Sequence, residues 1–200
     1  FTPEINKEKV VMRAKTINEV QNFERGLDPK SAMGIGLSEQ EKVIARYFSG
    51  EKITYEDLLK LEGIKTEGLS FMDSKFNSGP TYLAPQINVW VRDLRKAIEK
   101  VAELRSLRKD FINSKIAEGI FKDEKDGLEF FKRTPGFTKK LQKKYGEEVA
   151  NNLIAEAGDL RTKWHKATGY MQDIGGYLIS DMKNTDFAKK WIAEHGDKRS

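Results

Sequence analysis

Cysteine is absent from these 200 residues, and histidine occurs twice, as His165 and His195. Without cysteine there is no disulfide framework and no thiolate zinc site, and folding does not depend on an oxidising compartment. Two histidines and no nucleophile turn leave a Ser-His-carboxylate triad almost nothing to be built from. Neither histidine has a second histidine or a carboxylate at i+3 or i+4, the spacing that presents two metal ligands together on a helix. No apolar run approaches the ~20 residues that span a bilayer, so no membrane partner is expected. The opening Phe1-Thr2-Pro3-Glu4 is not a signal peptide, and without cysteine an intracellular or virion setting is expected.

What is present is charge and helical periodicity. Charged residues make up 34% of the chain and hydrophobic ones 38%, which is above the disordered regime but lean for an enzyme. The net charge of +5 is concentrated in the middle: residues 81–145 hold 16 Lys/Arg against 9 Asp/Glu. A basic middle suits nucleic acid or an acidic protein partner, and it equally suits ordinary solvated helix faces.

The longest periodic stretch is 147–182. Val149, Leu153, Ala157, Leu160, Trp164, Ala167, Met171, Ile174, Leu178 and Met182 recur at alternating spacings of three and four, which puts them on one side of an α-helix. On the opposite side Gly158, His165, Gly169 and Gly176 fall in a narrow band. Each glycine costs about 1 kcal/mol relative to alanine in a helix interior. The band therefore reads either as a groove for a partner backbone or, at Gly175-Gly176, as a break in the helix.

A second long helix is expected over 87–121, with Ile87, Val91, Leu94, Ile98, Val101, Ile112 and Ile116 near one meridian. Arg105 falls on that meridian, while Leu104, Leu107 and Phe111 drift off it. The buried face must rotate or the helix must bend. Arg105 then snorkels from a helix interface or pairs with a carboxylate there.

The shorter elements carry clear local signals. Residues 4–22 read as a thin amphipathic helix, followed by a loop interrupted by Gly26, Pro29, Gly34 and Gly36, in which Arg25 and Asp28 are placed to pair across a turn or to meet a partner. Gly34-x-Gly36 lacks the preceding strand and following Lys-Ser/Thr of a phosphate cradle. Ser38-Glu39-Gln40-Glu41 and Thr54-Tyr55-Glu56-Asp57 are capping boxes opening helices to Phe48 and about Leu61. Their Gly-containing turn suggests a helix-turn-helix, but residues 66–76 would have to read the DNA groove and are acidic on balance, so a helical hairpin built for packing is preferred. Residues 77–86, with Pro80 and Pro85, form a linker. Short helices are expected at 123–132, 137–145 and from 184–186 to Gly196, with a frayed tail at 197–200.

The best basic patch is Lys132, Arg133, Lys139, Lys140, Lys143 and Lys144. Phe130, Phe131, Phe137 and Tyr145 lie nearby, and interleaved aromatics and cations are what single-stranded nucleic acid binding uses. Aromatic side chains in short helices equally fill a core. The carboxylate pairs Glu147-Glu148 and Glu56-Asp57 sit at helix starts, where the dipole favours them without any chemistry.

The run Thr16-Ile17-Asn18-Glu19-Val20-Gln21-Asn22-Phe23-Glu24-Arg25-Gly26-Leu27-Asp28-Pro29-Lys30 resembles segments near the starts of small uncharacterised or virion proteins of large tailed bacteriophages. The resemblance covers under a tenth of the chain and fixes no functional residue. It implies a viral structural protein.

The expectation is an all-α helical bundle in three parts: an arm over 1–36, a short hairpin over 37–80 and a long-helix bundle over 81–200. Its function is expected to be structural or interactive rather than enzymatic, with no cofactor and with other protein subunits as partners. The candidate contact residues are Gly158, His165, Gly169, Gly176, Arg105, Arg25 and Asp28. The alternative is a nucleic-acid-binding accessory protein using the basic residues of 132–144.

Overall fold

A computed structural model describes residues 36–64 and 86–199. The expected helix at 4–22, the loop carrying Arg25 and Asp28, the acidic 66–76 segment and most of the 77–86 linker lie outside the described residues. What is described is all-α, with seven helices: α1 Glu39–Phe48, α2 Tyr55–Leu59, α3 Ile87–Ala117, α4 Glu124–Phe130, α5 Phe137–Tyr145, α6 Glu147–Lys183 and α7 Asp186–His195. The two long helices, α3 and α6, pack together.

Local chemistry sets the helix ends. Ser38 and Thr54 each accept from the backbone N–H three residues on, while Glu41 and Asp57 accept from the cap backbone in return, so both capping boxes form and satisfy donors that a helix start leaves orphaned. Thr185 does the same for α7 with the N–H of Ala188.

Helix α3 stops at Ala117, four residues short of the expected Phe121. Gly119 adopts φ 79°, its N–H donates to Ile116 O at 3.0 Å and that of Ile120 to Lys115 O at 2.9 Å. This paired termination needs a left-handed residue, which glycine supplies without steric cost. In the other direction, Gly175-Gly176 does not break α6, which continues to Lys183.

The described chain forms two units, residues 36–64 with 86–91 and 178–199, and residues 92–177. The long helices contribute to both. In the first unit α7, from the far end of the chain, packs on α1.

In the first unit Val43, Ile44, Phe48, Leu58 and Leu61 are buried, as are Leu178, Met182, Ala188 and Trp191. The backbone N–H of Gln86 and the indole of Trp90 both donate to Asp181, at 2.9 and 2.8 Å. The tail is not frayed up to Arg199. Lys198 N–H donates to Phe48 O at 2.9 Å, and Arg199 donates to Tyr47 O at 2.8 Å and to Glu51 O. These are the carbonyls at and just past the end of α1, where a cation is favoured. The guanidinium also lies over the Tyr47 ring at 4.2 Å.

In the second unit α3 and α6 run antiparallel: Lys115 Nζ meets Glu156 at 2.7 Å, and Arg108 lies over Trp164. The core gathers Ile112, Phe121, Phe130, Phe131, Leu141, Ala150, Leu153 and Ala157. Gly127 lets α4 lie directly on α3; a Cβ there would come within 2.9 Å of Ile112 Cγ1 and 3.1 Å of its Cβ. Lys115 takes a buried seam position, with 7% of its side chain exposed, and is held by Glu118 at 3.1 Å as well as by Glu156. Hydrogen bonding to Glu156 holds its pKa up against the burial that opposes it, so the ion stays charged inside.

The α6 stripe is unevenly covered. Leu153 and Ala157 at one end and Ile174, Leu178 and Met182 at the other are buried, whereas Leu160, Trp164, Ala167 and Met171 between them are only half-buried. Opposite this middle, the 3-4 rhythm of α3 runs through Val101, Leu104, Arg108 and Ile112: Leu104, expected off the meridian, is buried, Arg105 beside it is exposed, and Arg108 takes the next seam position instead of an apolar residue. Leu107 is 50% exposed and Tyr170 54%.

Candidate functional site

The site grows from the C-terminal end of α4. A helix end leaves carbonyls without intrahelical donors, and here α6 supplies the missing groups. Arg161 donates through Nε to Phe130 O and through a terminal nitrogen to Lys132 O, both at 2.8 Å. His165 Nε2 lies 2.6 Å from Phe131 O. A carbonyl only accepts, so Nε2 carries the proton. Three consecutive carbonyls are thus taken by two side chains one helical turn apart. The Arg161 guanidinium also covers the Phe137 ring at 3.5 Å, and Arg133 reaches back to donate to His165 O at 3.1 Å.

Beside this clamp lies a cleft of about 530 Å³, lined by Arg108, Leu128, Phe131, Lys132, Arg133, Trp164, His165, Thr168, Gly169 and Gln172. Three lining residues are cationic and none is acidic. Among the described residues only Lys132 of these has a close carboxylate, Glu129 at 2.8 Å. The Arg108 guanidinium lies 4.0 Å from the Trp164 ring centroid, with that of Arg105 at 5.9 Å. Cations over an indole face are attracted by its quadrupole, but two guanidinium groups on one ring repel each other.

Burial first, and these like charges second, lower the pKa values of the groups around the cleft. Burial pushes the pKa of Arg108 down, and Arg105 adds to the effect against a smaller opposing pull from Glu124. Arg161 is lowered by burial and then by Arg133. Burial is also the main reason His165 is lowered; Arg161 and Arg133 add to it, and the bond to Phe131 opposes it. The arginines remain charged regardless, so His165 stays neutral at pH 7 while excess positive charge gathers around it.

The sequence candidates are dispersed by this arrangement. His165 and Gly169 lie under the 131–133 segment, where a Cβ on Gly169 would meet Arg133 at 3.6 Å. Among the described residues Gly158 faces only its own helix's Ile154, and Gly176 has nothing within 4 Å. Of the four, His165 and Gly169 are thus the ones met by another element, the 131–133 segment. Arg105 sits over Trp164 rather than on a carboxylate.

The basic patch is divided too. Lys132 and Arg133 belong to the cleft, Lys144 pairs with Asp126, and Lys139, Lys140 and Lys143 are exposed on α5. Its aromatics are not open stacking faces. Phe130 and Phe131 are buried, Arg161 covers Phe137, and Tyr145 donates to Asp126 at 2.9 Å. Burial, with that bond to a carboxylate, pushes the Tyr145 phenol up to about 12.

Sequence reasoning missed Arg108, Arg161, Lys115 and Gly127. Arg108 and Lys115 were findable, because the spacing 101, 104, 108, 112, 115 continues the seam of α3. Arg161 and Gly127 were not, since their partners are main-chain carbonyls and a neighbouring helix.

Among the described residues no group of three His, Asp or Glu is placed to hold a metal ion, and no helix there is long and apolar enough to cross a membrane. Compared with known proteins, the chain matches no family model, no curated protein and no solved structure.

Proposed function

We propose that this chain is a non-enzymatic interaction protein that binds other protein subunits through the middle of its α3–α6 pair, as a virion-associated component. The observation that carries this reading is the half-covered centre of the seam. Leu160, Trp164, Ala167 and Met171 are half-buried between two closed ends, and Leu107 and Tyr170 stand half-exposed. Exposed apolar surface framed by charge is typical of a contact face. The histidine beside this seam serves structure: His165 lies on the main-chain carbonyl of Phe131. The virion assignment rests on the resemblance at residues 16–30.

Multi-angle light scattering tests the reading. A discrete oligomer, or a complex with co-purifying subunits from the native source, is expected, and Leu107→Glu with Tyr170→Glu should dissolve it without loss of helicity. A 22.9 kDa monomer at every concentration, with no co-purifying subunit, contradicts it.

A nucleic-acid function is the alternative, favoured by the exposed Lys139, Lys140 and Lys143. Binding would then weaken steeply with salt, and charge reversal at Lys139 and Lys140 would flatten the slope.

A further inference from the structure

We propose that the basic cleft of residues 92–177 is the docking site for an acidic segment of a protein partner, read by Arg108 and Arg133. This rests on the interaction reading above and adds the chemistry of the partner. Charge is the first argument. The cleft is lined by three cations and no carboxylate, Arg105 shares the Trp164 ring with Arg108, and Arg161 holds the carbonyl of Lys132, next to Arg133. Like charges held this close raise the energy of the empty cleft, and a carboxylate placed between them lowers it.

The second argument separates acidic protein from nucleic acid. Single-stranded nucleic acid gains affinity by stacking bases on open aromatic faces. In this cleft Arg108 already lies on the Trp164 ring at 4.0 Å, and Phe131 is buried. What is left for a ligand is guanidinium forks, which match a carboxylate in a bidentate fashion. The volume of about 530 Å³ holds a few side chains, not an extended phosphate track.

The third argument is rigidity. Arg133 is tethered to His165 O at 3.1 Å, and Arg108 is held by the indole. Their donors are therefore ordered before any partner arrives, which lowers the entropic cost of docking.

The test is calorimetric titration of a hexaglutamate peptide and of hexathymidylate into the intact protein at low salt. Hexaglutamate should bind at least tenfold more tightly than the oligonucleotide. Arg108→Gln should weaken peptide binding about tenfold, whereas Lys100→Gln, at an exposed pair with Glu103, should leave it unchanged. Circular dichroism of each variant shows whether the helices persist. Should Arg108→Gln unfold, Lys132→Gln gives a second reading, with an expected threefold to fivefold loss.

No peptide binding, equal loss in Lys100→Gln, or tighter binding of hexathymidylate overturns the proposal. An oligomer that persists alongside any of these results would remove the cleft and spare the interaction reading. Peptide binding by a protein that is always monomeric and never co-purifies would do the reverse.

Discussion

Two arginines in this protein do the same job in different surroundings. Arg199 closes the end of α1 by donating to Tyr47 O and Glu51 O while covering the Tyr47 ring. Arg161 closes the end of α4 by donating to Phe130 O and Lys132 O while covering Phe137. The neighbours differ. Around Arg199 the charges balance: Arg46 lies 3.4 Å from Glu51 and 3.5 Å from Asp57. Around Arg161 they do not: the cleft beside it is lined by Arg108, Lys132 and Arg133, and among the described residues Lys132 alone of these has a close carboxylate, Glu129. The same capping device is a fastening among balanced charges in the first unit and lies beside a cleft rich in positive charge in the second.

The largest expected effect bears on whether Arg161 is structural at all. Arg161→Ala removes two charge-assisted bonds from helix-end carbonyls and uncovers Phe137, and should cost about 3 kcal/mol in chemical denaturation. Arg161→Lys should recover less than half, because an ammonium cannot serve two carbonyls as a fork does. Full recovery would mean that charge alone matters at this end of α4.

Gly127→Ala tests the seat of the clamped helix. A methyl group there meets Ile112 inside 3 Å, and overpacking of this kind costs about 2 kcal/mol. Pairing it with Ile112→Val should return part of the loss, and a neutral Gly127→Ala would show that α4 does not lie as closely on α3 as described.

Arg199→Ala sharpens the contrast from the other side. Its site is more exposed and its charges are balanced, so about 1 kcal/mol is expected. A loss as large as that of Arg161→Ala would erase the difference between the two clamps.

The smallest effect concerns pH. His165 has its folded pKa below the ordinary imidazole value near 6.5, so the unfolded chain takes up its proton first. The stability tied to neutral His165 is complete above about 6.5 and declines as the pH falls below it. His165→Gln keeps a donor for Phe131 O and should flatten thermal stability between pH 7 and 5. An unchanged slope would relieve His165 of that role.

Much of this fold is legible without coordinates. The capping boxes at Ser38 and Thr54, the α5 limits at Phe137 and Tyr145, and the whole length of α6 follow from caps, glycines and period. The end of α3 was misplaced because Ile120 and Phe121 continue the apolar pattern while Gly119 stops the helix. Phe121 is buried all the same, by a turn instead of a helix. The tail was misread because Lys198-Arg199 looks like solvent-seeking charge, yet carbonyls at the end of α1 attract it.

The site was less legible still. Lys132, Arg133 and His165 were marked as candidates, but in two separate groups, and nothing in their spacing says that α6 brings Arg161 and His165 onto the end of α4. Hydrogen bonds to main-chain carbonyls leave no pattern in side-chain identity. Charge imbalance at a cleft is likewise a property of three dimensions, because the same lysines and arginines on a helix face would be ordinary.

The contrast between the two clamps can be read in one experiment, hydrogen–deuterium exchange of the intact protein with and without saturating hexaglutamate. The account predicts slower exchange across residues 128–133 and 164–172, and no change at 46–51 or 197–199. Protection confined to the first unit, or spread evenly over both, would contradict it.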